Sequence, residues 1–326
     1  MSVQQTRQQR RAADRSGAGD AGREATVRGV FFVTLLVVII GGFGWWYWRS
    51  ATGGGVVRDG APSWMPDSQR VIFYSEREGK ADIALTDLAG RDRQFITTTP
   101  GISEGSPAYA PQADLIAFDS DRDGNFEIYT TKPNGDAPQN LTRHPGRDLA
   151  PAWSPDGRQI VFMSTRDNPE FDIYRMDRDG SHVERLTNGG SNWFPQFSPD
   201  GSQIAFHAMR DVYVLSLKDR SVRRLTHEPL NGMYPTWSGD GSQIAFMTWR
   251  NGRTEIFTMK SSGVEQQLLV SMPTGDAVDP RWSPDGNYIA FVHVPGGGVA
   301  QRQDAGQQRM IYLVDVKTKR LTRLSR

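Results

Sequence analysis

From residue 62 onward the chain alternates short apolar runs with clusters of Gly, Asp, Asn and Pro, and the runs are too short for helices. Ile160-Val161-Phe162, Ile204-Ala205-Phe206, Ile244-Ala245-Phe246 and Ile289-Ala290-Phe291 each follow a turn cluster by two or three residues. A second set follows a further turn: Ile128-Tyr129, Ile173-Tyr174, Val212-Tyr213, Ile256-Phe257 and Ile311-Tyr312. A third set reads Leu141-Thr142, Leu186-Thr187, Leu225-Thr226 and Leu321-Thr322. β-Branched and aromatic runs bounded in this way are strand signals. The pattern predicts four strands per unit, A to D, with strand A ending on an aromatic residue.

That aromatic residue opens the clearest motif. Trp153-Ser154-Pro155-Asp156-Gly157 recurs as Phe197-Ser198-Pro199-Asp200-Gly201 and Trp282-Ser283-Pro284-Asp285-Gly286, with Trp237-Ser238-Gly239-Asp240-Gly241 as a near-copy. Two worn copies lie around Trp64 and Tyr109, so the aromatics repeat every 40 to 45 residues. Pro presets φ for the first corner of the A–B turn, Asp tolerates the second, and Gly takes the left-handed position. Six such units, none able to bury its own apolar faces, predict an all-β six-bladed β-propeller over residues 62–326.

The repeat resembles that of TolB, the periplasmic Tol-system protein, and of the propellers of prolyl-oligopeptidase-type enzymes. The resemblance covers the propeller and implies that fold without an activity. TolB carries an α/β domain before its propeller and the oligopeptidases an α/β-hydrolase domain, and this chain offers room for neither.

Residues 29–48 contain no charged side chain and end on Trp45-Trp46-Tyr47-Trp48. Twenty helical residues span about 30 Å, the thickness of a bilayer core, and the aromatic cluster suits a membrane interface. A buried core helix is the bland alternative, but strands account for the rest of the chain. A cleaved signal peptide is the other, yet bulky aromatics stand where small residues should precede the cleavage site. The expectation is a single transmembrane helix over 29–48. Six arginines against three acids in residues 1–28 favour a cytoplasmic tail, disordered by composition, and an exported propeller at the bacterial inner membrane. Residues 49–61, with Gly53-Gly54-Gly55, read as a flexible linker.

Net charge is +1 over 326 residues, which offers nothing to nucleic acid, and the absence of Cys removes disulfides, thiolate metal sites and a Cys nucleophile. Gly101-Ile102-Ser103-Glu104-Gly105 has the form of a nucleophile elbow but lacks the strand–turn–helix context that chemistry needs. On the end of the propeller carrying D–A connections and B–C hairpins, a polar residue recurs near the start of strand A: Asp59, Glu104, Asp148, Asn192, Asn231 and Asp276, with Asp279 nearby. These residues either cap the turn into the strand or ring the channel mouth as a binding rim, with Trp193 and Met233 as apolar anchors. The B–C hairpin of blade two sets Asp119, Asp121, Asp123 and Glu127 in near-alternation, a pattern that suits calcium or a solvated hairpin. No other cofactor is expected. The long B–C connection Pro295–Gln308 of blade six is a binding loop or filler.

Two functions fit: a membrane-anchored scaffold or accessory subunit that binds a protein partner in an envelope complex, and an anchored propeller enzyme or ligand or calcium sensor using the acidic mouth.

Overall fold

A computed structural model describes residues 57–229, 231–296 and 308–324. The expected tail, membrane span and most of the linker lie outside these residues, as does most of the blade-six insertion. Among the described residues no helix is long and apolar enough to cross a membrane.

The described chain forms six four-stranded antiparallel sheets, each built from four consecutive strands paired in chain order. The A strands are Arg58–Trp64, Glu104–Ala110, Asp148–Trp153, Asn192–Phe197, Met233–Trp237 and Asp276–Trp282. Each touches the next, and the sixth touches the first, so they form the inner wall of a closed ring. The first strand starts at Arg58, so the propeller takes in four residues, 58–61, that composition assigned to the linker.

The turn motif folds as its chemistry demands. In blade three, Ser154 Oγ donates to Asp156 Oδ1 at 2.6 Å and accepts from Gln159 N at 2.9 Å. Gly157 sits at φ +67°, where its N–H donates to Ser154 O at 2.9 Å. The same network recurs at Ser198–Asp200, Ser238–Asp240 and Ser283–Asp285. The Ser hydroxyls hold the carboxyls of Asp156, Asp200 and Asp240 below their usual range. These turns therefore lock strand A to strand B using only neighbours in sequence.

Strand B supplies the packing between blades. Phe73, Phe118, Phe162, Phe206, Phe246 and Phe291 hold equivalent places in successive blades and are all buried. Each such ring contributes about 2–3 kcal/mol by leaving water. The outer strand is clamped by its Thr: Thr142, Thr187 and Thr226 accept the N–H of Ile128, Ile173 and Val212. In these blades Leu-Thr directly follows strand D; blade six departs from the expectation, since Leu321-Thr322 is exposed within Leu321–Arg323 and Leu324 N donates to Ile311 O in the place of Leu141, Leu186 and Leu225.

The ring closes between blades six and one without exchanging a strand. Trp64 Nε1 donates to Arg281 O at 2.9 Å, Asp59 N to Arg309 O at 3.2 Å, and Asp285 N to Ser68 Oγ at 3.1 Å. Trp64, Val71 and Phe73 pack with Ala290, Ile311 and Leu313 in one cluster.

Candidate functional site

At the end where the A strands begin, the expected acidic rim is internal. Asp59, Glu104 and Asp148 are at most 1 % exposed. Arg93 Nη2 lies 2.6 Å from Asp59 Oδ1, Arg122 pairs with Glu104, and Arg166 Nη2 lies 3.0 Å from Asp148 Oδ2. The guanidinium of Arg122 covers Tyr129, and that of Arg166 covers Phe162 and Tyr174, so each cation is held from its other side by an aromatic ring. Burial pushes the Glu104 and Asp148 carboxyls above their usual range, against the pull of the arginines. Glu104 and Asp148 staple the start of strand A to the B–C hairpin of the same blade, and Asp59 to the C–D connection; none of the three presents charge to solvent.

The remaining rim residues behave similarly. Asn192 is buried and donates to Asp172 Oδ1 at 2.8 Å, and Trp193 is buried against Phe171 with ring centres 4.8 Å apart. Asp276 accepts Thr254 N at 2.5 Å. Asn231 and Met233 are half-buried, and Asn231 Oδ1 has no hydrogen-bond partner. Asp279 is buried deeper in the ring, 3.1 Å from Arg281 Nη1, and its carboxyl is raised by burial.

The four carboxylates of the blade-two hairpin diverge. Asp119 lies within strand B, fully buried, and accepts Ala150 N from the next blade at 3.0 Å. Asp121 accepts Ser103 N at 2.7 Å, and Asp123 accepts the Tyr129 hydroxyl and Asn140 Nδ2. Glu127 accepts His144 N at 2.9 Å and the Thr142 hydroxyl. Among the described residues no three Asp, Glu, His or Cys side chains converge as a metal site would require.

Strand A holds a feature that the sequence reading missed. Three residues before each blade aromatic, the chain takes positive φ: Ala61, Ser106, Ala150, Phe194, Tyr234 and Asp279, at 46° to 53°. Each is followed by proline: Pro62, Pro107, Pro151, Pro195, Pro235 and Pro280. The A–B register shifts at this point in every blade, so all six inner strands carry a bulge. Proline is tolerated because the bulge leaves its position outside the ladder. The bulge N–H groups need acceptors, and adjoining blades supply them: Asp119 for Ala150, and His207 Nδ1, at 3.3 Å, for Tyr234. His207 also stacks on Phe194 and Tyr234, and burial lowers its pKa to about 3, so it stays neutral.

At the opposite end, where the A–B turns emerge, the ring opens into a cavity of about 230 Å³. Its wall includes Trp64, Trp153, Phe197, Trp237 and Trp282, with Arg281, Gln196 and the turn prolines between them. Five of the six blades contribute, which places the cavity on the channel axis. Two of the indoles are fixed to the preceding blade, Trp153 Nε1 donating to Ala108 O at 3.1 Å and Trp64 Nε1 to Arg281 O at 2.9 Å, whereas Trp237 Nε1 and Trp282 Nε1 have no hydrogen-bond partner. From sequence the motif at this end reads as turn chemistry. Yet the aromatic repeat was the available signal: equivalent residues on the inner strands sit at one height around the ring, so five of them border a single opening although each ring packs mainly against the preceding blade.

The comparisons with known proteins agree with the propeller fold. Residues 58–211 match the TolB beta propeller domain, and residues 169–325 the Tricorn protease N-terminal beta propeller domain. A structure described as TolB from Agrobacterium tumefaciens superposes with a TM-score of 0.65 at 21% identity, over 72% of this chain and 84% of its own. TolB from Acinetobacter baumannii gives 0.63 at 21% identity, over 79% of this chain and 63% of its own. An oligogalacturonate lyase from Vibrio parahaemolyticus gives 0.56 at 14% identity, over 83% and 79%. At these identities the likeness concerns the fold, which enzymes and non-enzymes share. An uncharacterised protein of Agrobacterium fabrum is 28% identical over 155 residues, 43% of this chain; the match spans about half, 53%, of that relative's length.

Proposed function

With residues 58–324 forming a TolB-like six-bladed propeller, we propose that the chain is a membrane-anchored, extracytoplasmic scaffold that binds a protein partner through the aromatic funnel at the A–B turn end. The observation carrying this reading is the funnel itself. Indole rings from four blades and a phenyl ring from a fifth, each 7–9 % exposed and otherwise packed between blades, border one axial opening, with Arg281 and amide or hydroxyl groups between them. Aromatic and arginine side chains around a shallow depression supply the anchors typical of protein recognition. The carboxylates that could have served acid–base chemistry at the other end are buried on arginines. Anchoring rests on the uncharged stretch 29–48 and on the arginine excess before it, which favours a cytoplasmic tail and a periplasmic propeller.

The test is to solubilise native membranes in mild detergent, purify the full-length protein and identify what accompanies it at constant stoichiometry. A partner lost on Trp237→Ala, while the far-ultraviolet spectrum is retained, supports the funnel as its site. A lone chain in several detergents, or turnover of a small substrate by the purified protein, would replace the scaffold reading with the enzyme or sensor alternative.

A further inference from the structure

The end opposite the funnel carries a feature that the propeller's own stability does not require. The B–C hairpin of blade four turns on Met209 and Arg210, both left-handed, at φ 48° and 73°. Two-residue hairpin turns of this kind favour Asn or Asp followed by Gly, because both corners need positive φ. Blade five follows that preference with Asn251-Gly252, and blade one places Gly79 second. Blade four instead strains a methionine and an arginine, and the methionine gains no burial in return, being 78% exposed. On the hairpin of the neighbouring blade five, Trp249 is 41% exposed and flanked by Arg250, which is half-buried with its guanidinium 5.3 Å from the Phe257 ring centre. Residues 208–210 and 249–253 contain no acid; the nearest exposed carboxylate in the neighbouring D–A loop is Glu228. A strained, exposed apolar tip on one blade, with an exposed Trp and arginines on the matching hairpin of the next, is a surface shaped for something outside the ring.

We infer that these two hairpin tips contact an anionic phospholipid surface, Met209 and Trp249 entering the interface and Arg210 and Arg250 facing phosphate groups. The inference rests on the anchored reading proposed above. Strand A of blade one begins at Arg58, at the same end of the propeller as the B–C hairpins. Only nine residues, 49–57, separate it from the uncharged stretch ending at Trp48. Fully extended, they reach about 30 Å. A bilayer holding that stretch therefore lies within a tether's length of the end that carries the hairpins. Tryptophan favours the headgroup region, and arginines beside it gain from anionic lipid.

The absence of cysteine permits unique labelling. Full-length Met209→Cys, Trp249→Cys and, as a control on the exposed C–D turn at the other end, Arg178→Cys are labelled with an environment-sensitive fluorophore. They are then reconstituted into vesicles of phosphatidylcholine with or without phosphatidylglycerol. The expected result is a shift to shorter wavelength, and quenching by brominated lipid, at positions 209 and 249 in phosphatidylglycerol vesicles and at neither in pure phosphatidylcholine. Arg178→Cys stays silent in both. Arg210→Gln with Arg250→Gln should abolish the response to phosphatidylglycerol. Silent labels at 209 and 249 on a chain that floats with the vesicles and resists alkaline extraction would overturn the lipid contact and leave the anchor standing. A chain that alkaline extraction releases would overturn the anchor and the inference together. Labels that respond to added envelope protein but not to lipid would assign the hairpins to a protein interface instead.

Discussion

Replacing Asp119 with asparagine should stabilise the propeller above pH 6 and leave it almost unchanged near pH 4. Asp119 is wholly buried in strand B of blade two, where Oδ2 accepts Ala150 N–H at 3.0 Å and Oδ1 has no hydrogen-bond partner. Burial pushes its pKa from 3.8 up to about 6, against the Ala150 N–H, the Ser106 hydroxyl and the Arg147 charge. The folded state therefore holds this proton more tightly than the unfolded chain does. Linkage then makes stability fall as pH rises from about 4 to about 6 and stay level above, because only the folded state resists ionisation in that window. Moving the pKa from 3.8 to about 6 corresponds to about 3 kcal/mol, at about 1.36 kcal/mol for each tenfold change in proton affinity. Asparagine has nearly the same shape, and its Oδ1 can keep the Ala150 bond without bringing a charge into the core. Urea unfolding of both proteins at several pH values gives the difference directly and cancels the titration of every other group. The difference should grow from near zero at pH 4 towards about 3 kcal/mol at pH 7, an upper bound because water and Arg147 can relieve the buried charge. A difference that is flat across this range, or a variant less stable at pH 7, would refute the argument that burial dominates at Asp119.

Three further outcomes follow from the geometry. Gly239 replaces the proline found in the other sharp turn motifs, and a Cβ there would lie 2.0 Å from Pro284 O of the next blade. Gly239→Ala should therefore cost about 1–3 kcal/mol in thermal unfolding despite restoring a side chain; an unchanged melting temperature would show that the blade-five and blade-six turns are not in contact. Arg166→Ala should destabilise by about 3–5 kcal/mol by leaving the buried Asp148 carboxylate unpaired, while Asp148→Ala with Arg166→Ala should recover part of the loss. Equal stability of the single and double variants would mean that the pair acts through packing alone. Calcium should leave the melting temperature of the wild type and of Asp121→Ala unchanged, since Asp119, Asp121, Asp123 and Glu127 serve separate partners; a calcium-induced rise lost in Asp121→Ala would show that the hairpin can rearrange around the ion.

The blades were legible in the amino-acid order because everything that makes one is local. Ser, Asp and Gly of each turn bond within five residues, and strands A to D pair with their neighbours in sequence, so motif and architecture carry the same information. Even the inner bulges were written there, as a proline two residues before each of the six aromatics, though their meaning needs the backbone to be seen. What sequence could not decide was which polar residues remain available. Glu104 and Asp148 each meet an arginine eighteen residues on, a spacing set by hairpin register, whereas Asp59 passes over Arg77 and pairs with Arg93 on strand D's approach. Arg77 lies instead over the Phe95 ring. A recurring acid therefore reads as a solvent-facing rim until the third dimension brings its cation. The funnel has the same origin. Trp64 and Arg281, 217 residues apart, meet only because six sheets of similar width close into a ring, and ring closure alone turns a periodic aromatic residue into a shared wall.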